Sequence, residues 1–335
     1  MQPKTNGRSF FCARITQYSF CRALCIVACV LIPLALMAQT QQPAASDRKA
    51  RVKVQMRNVM YHFSDSVVVH IQTLNGELVP TGENKFPIFD DKKSFNIEIS
   101  SGEIAISTVS LANMLNTYVF ASPNAPLKDI STAIENNRLQ IKGKLHQKRD
   151  IPFETDGVLT STPDGKIRLH CDKIRALHLP VKGLMNLFDL QIADFVKTGK
   201  IPGVTTDQND LILDLSQILP PPHIEGKVTA VRLEGETLVQ TFGGPDAKTR
   251  YLLHFKNYMS YEGGQLRFGK LTMDDADMIL IDMDPGDPFD FYLDHYKEQL
   301  AAGYSKITPS FGLRVYVKDF NKLHQRRRAQ NAAKK

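Results

Sequence analysis

The 335-residue chain is 42% hydrophobic and 23% charged, a globular composition with room for one large or two medium cores. Its net charge of +7 owes much to residues 1–38, which carry Lys4, Arg8, Arg14 and Arg22 and no acidic residue; without them the balance is +3. So small a surplus excludes a nucleic-acid partner recruited by bulk charge.

Residues 1–38 have the form of a signal peptide: a basic flank, an apolar run over 23–37, and small side chains at Ala35 and Ala38. Cleavage after Ala38 is expected, giving an exported protein that is periplasmic or associated with the cell envelope. A retained anchor is the alternative. The apolar run has about 15 residues and contains Pro33, whereas a spanning helix needs roughly 20. Loss of the leader removes Cys12, Cys21, Cys25 and Cys29 and leaves Cys171 alone. No intramolecular disulfide is then possible, so stability must come from the core.

Residues 39–50 are polar and read as a linker. Apolar residues then alternate at Val52, Val54 and Met56, at Val67, Val69 and Ile71, and at Phe95, Ile97 and Ile99. This is the period of strands with one buried face. Asn75-Gly76 reads as a turn and 80–93 as a loop. Ser110 is expected to cap a helix over 111–120, with Leu111, Met114, Leu115 and Tyr118 on one stripe. Strands resume at Leu139 and Ile141, at Phe153 with Val158, and at Ile167 with Leu169 after the Pro163-Asp164-Gly165 turn. A second apolar helix is expected between Pro180 and Gly199, its face traced by Leu184, Leu187, Phe188, Ile192 and Phe195. Leu211 with Leu213, 228–233, and Leu238 with Phe242 read as further strands. Beyond these, strands are expected at 251–255, 266–268, 278–281 and 315–317, with a short helix over 290–304. The tail, 322–335, is basic and is expected to be disordered.

The fold class expected is α+β, with a dominant curved antiparallel sheet and few helices. The parts are a leader (1–38), a linker (39–50), a main domain (51–244), a C-terminal extension packed on it (245–321) and the tail (322–335).

Catalytic groupings are missing from the sequence. It holds no phosphate-binding loop, dinucleotide turn, nucleophile elbow or HExxH pair, and its nine histidines are scattered. Eight aspartates (Asp274, Asp275, Asp277, Asp282, Asp284, Asp287, Asp290 and Asp294) crowd into 21 positions. They lack the spacing of a calcium loop, and Pro285 and Pro288 constrain their backbone. The chain reads as a non-enzyme with no metal and no cofactor. The tail's basic residues are placed to touch anionic lipid headgroups or simply to be solvated.

The stretch 103–242 resembles the LmeA-like proteins, a family of exported, phospholipid-binding bacterial domains. The resemblance rests on a leucine-rich helix after a strand (SLANMLNTYVF), the strand RLQIKGKL, and the turn-linked pair IPFETDGVLTSTPDGKIRLHCDKI. A helix after LPVKG and the hairpin IEGKVTAVRLEGETLVQTF complete it. It implies a fold similar to the tubular lipid-binding superfamily: a highly curved antiparallel sheet wrapped around two long helices, enclosing an apolar groove. It further implies that a phospholipid or other acyl-chain lipid is the partner. On that expectation the lipid-binding residues are Leu111, Met114, Leu115, Tyr118, Leu184, Leu187, Phe188, Ile192 and Phe195. A structural or interaction scaffold with a closed core is the alternative.

Overall fold

Long alternating strands dominate the chain, as the period of two in its apolar residues dictates. The computed structural model describes residues 51–146, 150–172, 174–176, 192–195, 201–244, 252 and 254–323. The first three strands, β1 (Val52–His62), β2 (Val68–Pro80) and β3 (Phe95–Ser107), form an antiparallel meander. Helix α1 (Thr108–Met114) follows and continues without a break into a π-helical turn, Leu115–Val119. A second meander comprises β4 (Leu127–Glu135), β5 (Arg138–His146), β6 (Asp150–Ser161) and β7 (Ile167–Cys171), with short β8 (Arg175–Ala176) beside β6.

Next come α2 (Ile192–Phe195), the hairpin β9 (Val204–Asp207) and β10 (Asp210–Leu213), and the single turn α3 (Leu215–Ile218). The chain then returns to the first sheet with β11 (Ile224–Glu225), β12 (Val228–Glu234) and β13 (Thr237–Phe242). The C-terminal part supplies β14 (Tyr258–Glu262), the small hairpin β15 (Leu266–Phe268) and β16 (Leu271–Met273), β17 (Asp277–Asp282) and β18 (Phe289–Tyr292). It ends with α4 (Tyr296–Ala301), β19 (Tyr304–Ile307) and β20 (Leu313–Val317).

Among the described residues these strands make two large open sheets and the separate two-stranded sheet β15-β16. The larger has the path β12-β13-β3-β2-β1-β14-β17-β20-β19, and the smaller β4-β5-β6-β7-β10-β9. Direct pairing of β14 with β1 makes the C-terminal strands a continuation of the sheet begun by the N-terminal ones. The larger sheet is mixed, because β18 runs parallel to β1, β11 to β3 and β20 to β17.

The protein is thus mostly β, and the expectation of two long helices needs correction. The first is 12 residues long and changes from α to π winding partway. Of the second, only Ile192–Phe195 lies within the described residues. The helix start also differs. Ser107, at the end of β3, is the cap, its hydroxyl accepting from the Ser110 N–H at 3.1 Å, while buried Ser110 lies inside the helix.

Other corrections have equally local causes. Asn75-Gly76 is no hairpin turn: the pair sits inside β2 at a register shift against β3. A Cβ on Gly76 would lie 2.1 Å from the Glu98 carbonyl oxygen, so glycine is needed for strand approach rather than for turning. The helix expected over 290–304 begins as buried strand β18 and becomes helical only at Leu293. The strand expected over 251–255 does not form at its described residues.

Apart from a small cluster of Tyr258, Ile279 and Ile281, one continuous core draws on both large sheets. At the C-terminal end it is aromatic, with Phe89 meeting Phe95, Tyr261, Phe268, Phe291 and Tyr296 at centroid distances of 4.6–6.3 Å. At the end nearer α1 it is almost wholly aliphatic.

Candidate functional site

The aliphatic end of the core contains a cavity of about 40 Å³. Besides Leu215 of α3 and Leu219 just after it, three sources supply its walls. The larger sheet contributes Val69, Ile104, Ile106, Leu238 and Phe242; the smaller gives Leu139, Ile141, Leu159, Leu169 and Leu213; the helix gives Leu111, Met114 and Leu115. A second cavity, of about 30 Å³, lies against the smaller sheet beside Leu127, Leu145, Phe153, Ile174 and Ile192. The two share Ile141, Leu169 and Leu211 as walls. An apolar cavity of about 150 Å³ holds one benzene, so an acyl chain enters this space only if the walls part.

The helix is held over the cavity by polar side chains on its outer side. Asn116 donates to the Ile130 carbonyl oxygen at 2.7 Å and accepts from the Ile130 N–H at 2.8 Å. This contact falls where β4 bulges between Lys128 and Ser131. Asn113 donates to the Ser66 carbonyl at 2.9 Å, and Thr132 donates to the Thr108 carbonyl at 2.7 Å. The helix therefore ties the larger sheet to the smaller. A direct link is the Val228 N–H, which donates to the Gly165 carbonyl at 3.1 Å.

Of the nine lipid-binding residues expected from the sequence, Leu111, Met114 and Leu115 line the first cavity and Ile192 the second. Tyr118 lines neither and is 37% exposed; the π turn that begins at Leu115 changes the angular spacing on which its place in the stripe depended. Leu184, Leu187, Phe188 and the Phe195 side chain lie outside the described residues. Most of the lining belongs to strand residues that the helix-centred reading passed over, although their alternation marked them as core.

Among the described residues, one polar residue faces the first cavity. Gln240, in β13 between Leu238 and Phe242, is 6% exposed and borders the cavity, and its side-chain amide makes no hydrogen bond among the described residues. Cys171 is buried beside the hydroxyl of Thr155, a residue that borders the second cavity, and burial pushes its thiol up to about 12. Burial thus favours the protonated thiol, the weakly nucleophilic form.

The aspartate-rich segment forms a separate polar network on the C-terminal strands. Asp290 meets His62 at 2.6 Å and accepts from the Asn321 N–H at 2.9 Å, while its own N–H donates to Asp319 at 2.9 Å. Asp284, Asp287 and Asp319 bring carboxylate oxygens within 4.8 Å of one another. The Lys322 ammonium sits among them, 2.6, 2.9 and 3.0 Å away. Asp277 pairs with Arg314 and Asp294 with Lys92. Partners already present on the chain thus account for most of the charge in this segment. No helix among the described residues is long and apolar enough to cross a membrane.

Compared with family models, with curated proteins and with solved structures, the chain matches none.

Proposed function

We propose that this is an exported, non-enzymatic protein of the cell envelope that holds the acyl chain of a phospholipid or similar lipid between its two sheets. In this reading the fold is a relative of the tubular lipid-binding architecture. The observation that carries it is the pair of adjoining cavities, which share Ile141, Leu169 and Leu211 and are walled by both sheets and the helix. Both sheets are open, so rotation of one against the other widens the space without breaking a closed barrel. Burying a dozen methylenes contributes about 10 kcal/mol gross. After association costs, that is compatible with micromolar binding, which needs about 8 kcal/mol net.

A second reading, a closed-core scaffold, is favoured by the small size of the cavities. Titration with a fluorescent fatty acyl probe separates the two. Saturable binding that is weakened by Leu115→Gln supports the lipid reading; absence of saturable binding sinks it and leaves the scaffold.

A further inference from the structure

We infer that the ligand of the first cavity carries an uncharged hydrogen-bonding oxygen, an ester carbonyl or a hydroxyl, that bonds the side-chain amide of Gln240. The inference rests on the lipid reading and specifies which end of the ligand is buried.

Among the described residues two glutamines are deeply buried, and they differ. Gln299, fully buried, accepts from the Tyr292 N–H at 2.8 Å and donates to the Asp290 and Lys318 carbonyls at 2.8 and 2.9 Å. Gln240 is almost as buried, borders the cavity, and has no side-chain partner among the described residues. Its neighbours on the cavity side are Leu238, Phe242 and, across the pairing with β3, Ile104. The Gln240 amide is not sealed off like the unpartnered Tyr261 and Thr155 hydroxyls; it keeps a little accessible surface in an aliphatic wall, so a ligand atom that reaches it gains a hydrogen bond. A water molecule is a poor substitute. Buried waters typically make about three hydrogen bonds, and Gln240 is the only polar side chain among the described lining residues.

The same wall sets the charge of the ligand. No basic side chain lines the cavity among the described residues, so an ionised carboxylate would be buried without a counter-charge. An ester, or a long-chain alcohol, presents an acceptor to the amide NH₂ with no such penalty.

The test uses four probes built on a ten-carbon chain, methyl decanoate, decanol, decane and decanoate at pH 8, with the wild-type protein and with Gln240→Leu and Gln240→Met. The two oxygenated neutral probes should bind about tenfold more tightly than decane and decanoate. Both variants should lose that preference while still binding decane, and both should melt at higher temperature than wild type. The ¹⁵N side-chain amide resonance of Gln240 should move with methyl decanoate and stay with decane. Preference for the ester over the alcohol, or the reverse, identifies the source of the oxygen. Equal binding of methyl decanoate and decane by wild type overturns the inference while leaving lipid binding intact. So does a preference that persists in both variants, or an amide found bonded only to water. If no probe binds, the lipid reading fails first, and this inference with it.

Discussion

Asn116 takes the place of a strand neighbour for Ile130, satisfying both its N–H and its carbonyl through one side chain, at 2.8 and 2.7 Å. The π turn of the helix and the bulge of β4 meet at this point. Neither irregularity is explicable alone: the bulge leaves two backbone groups of Ile130 without a ladder partner, and the helix delivers an amide of matching polarity.

Replacing Asn116 with leucine should therefore destabilise the protein by about 2–4 kcal/mol, because two buried backbone groups lose their partners. Asn116→Asp should recover part of this, since it keeps the acceptor for the Ile130 N–H. Chemical denaturation measures both. Equal stability of Asn116→Leu and wild type would contradict the bridging role.

Gly76 is expected to be intolerant of any side chain. Its missing Cβ would lie 2.1 Å from the Glu98 carbonyl, on rigid backbone in the middle of the larger sheet. Gly76→Ala should cost about 1–3 kcal/mol or prevent folding. Gly82→Ala, where the Cβ meets open space but φ is +58°, should cost less. Thermal melts of the two variants provide the comparison.

The strands and their inward faces were legible in the sequence because alternation is a local signal: Val52, Val54 and Met56 are all buried, as are Ile167 and Leu169. The features that escaped depend on a partner distant in sequence. Asn75-Gly76 has turn composition, and only the approach of Glu98 explains why a glycine stands in mid-strand. The 289–292 stretch looks helical by its aromatic spacing but is claimed by β1 in parallel pairing. For the site, helical periodicity found Leu111, Met114 and Leu115 but carried the stripe on to Tyr118, past the turn where the winding changes. Gln240 was accessible to the same reasoning. In LVQTF a period of two places it on the same face as Leu238 and Phe242, a polar residue among core positions.

Leu169 separates the two cavities together with Ile141 and Leu211. Leu169→Ala should open them into one larger space, destabilising the protein by about 2–5 kcal/mol. The enlarged cavity should take up benzene, seen as a rise in melting temperature with ligand concentration. Tyr118→Ser, at a partly exposed position that lines neither cavity, should leave both stability and benzene uptake close to wild type.

The C-terminal polar network has a pH signature. Burial is the chief cause of the Asp319 carboxyl being raised from 3.8 to about 6, with the Asp290 N–H and Lys322 pulling it back down. Between pH 4 and 6 the folded chain thus binds more protons at this group than the unfolded chain does, and its contribution to stability falls as pH rises through that window. The Asp319 carboxyl carbon should titrate in NMR with a midpoint near 6 and move higher in Lys322→Met, which removes the nearby ammonium. A midpoint at or below 4, or one unmoved in that variant, would show that the network is solvated rather than buried.

The space between the two sheets either takes up a lipid or is closed core. The direct measurement is mass spectrometry of the organic extract of the protein, expressed in a membrane-containing host and purified without detergent. Lipid binding predicts a co-purifying acyl lipid in near-stoichiometric amount, reduced in Leu115→Gln. An extract with no lipid above the level of a control protein would contradict the account and leave the closed-core scaffold in its place.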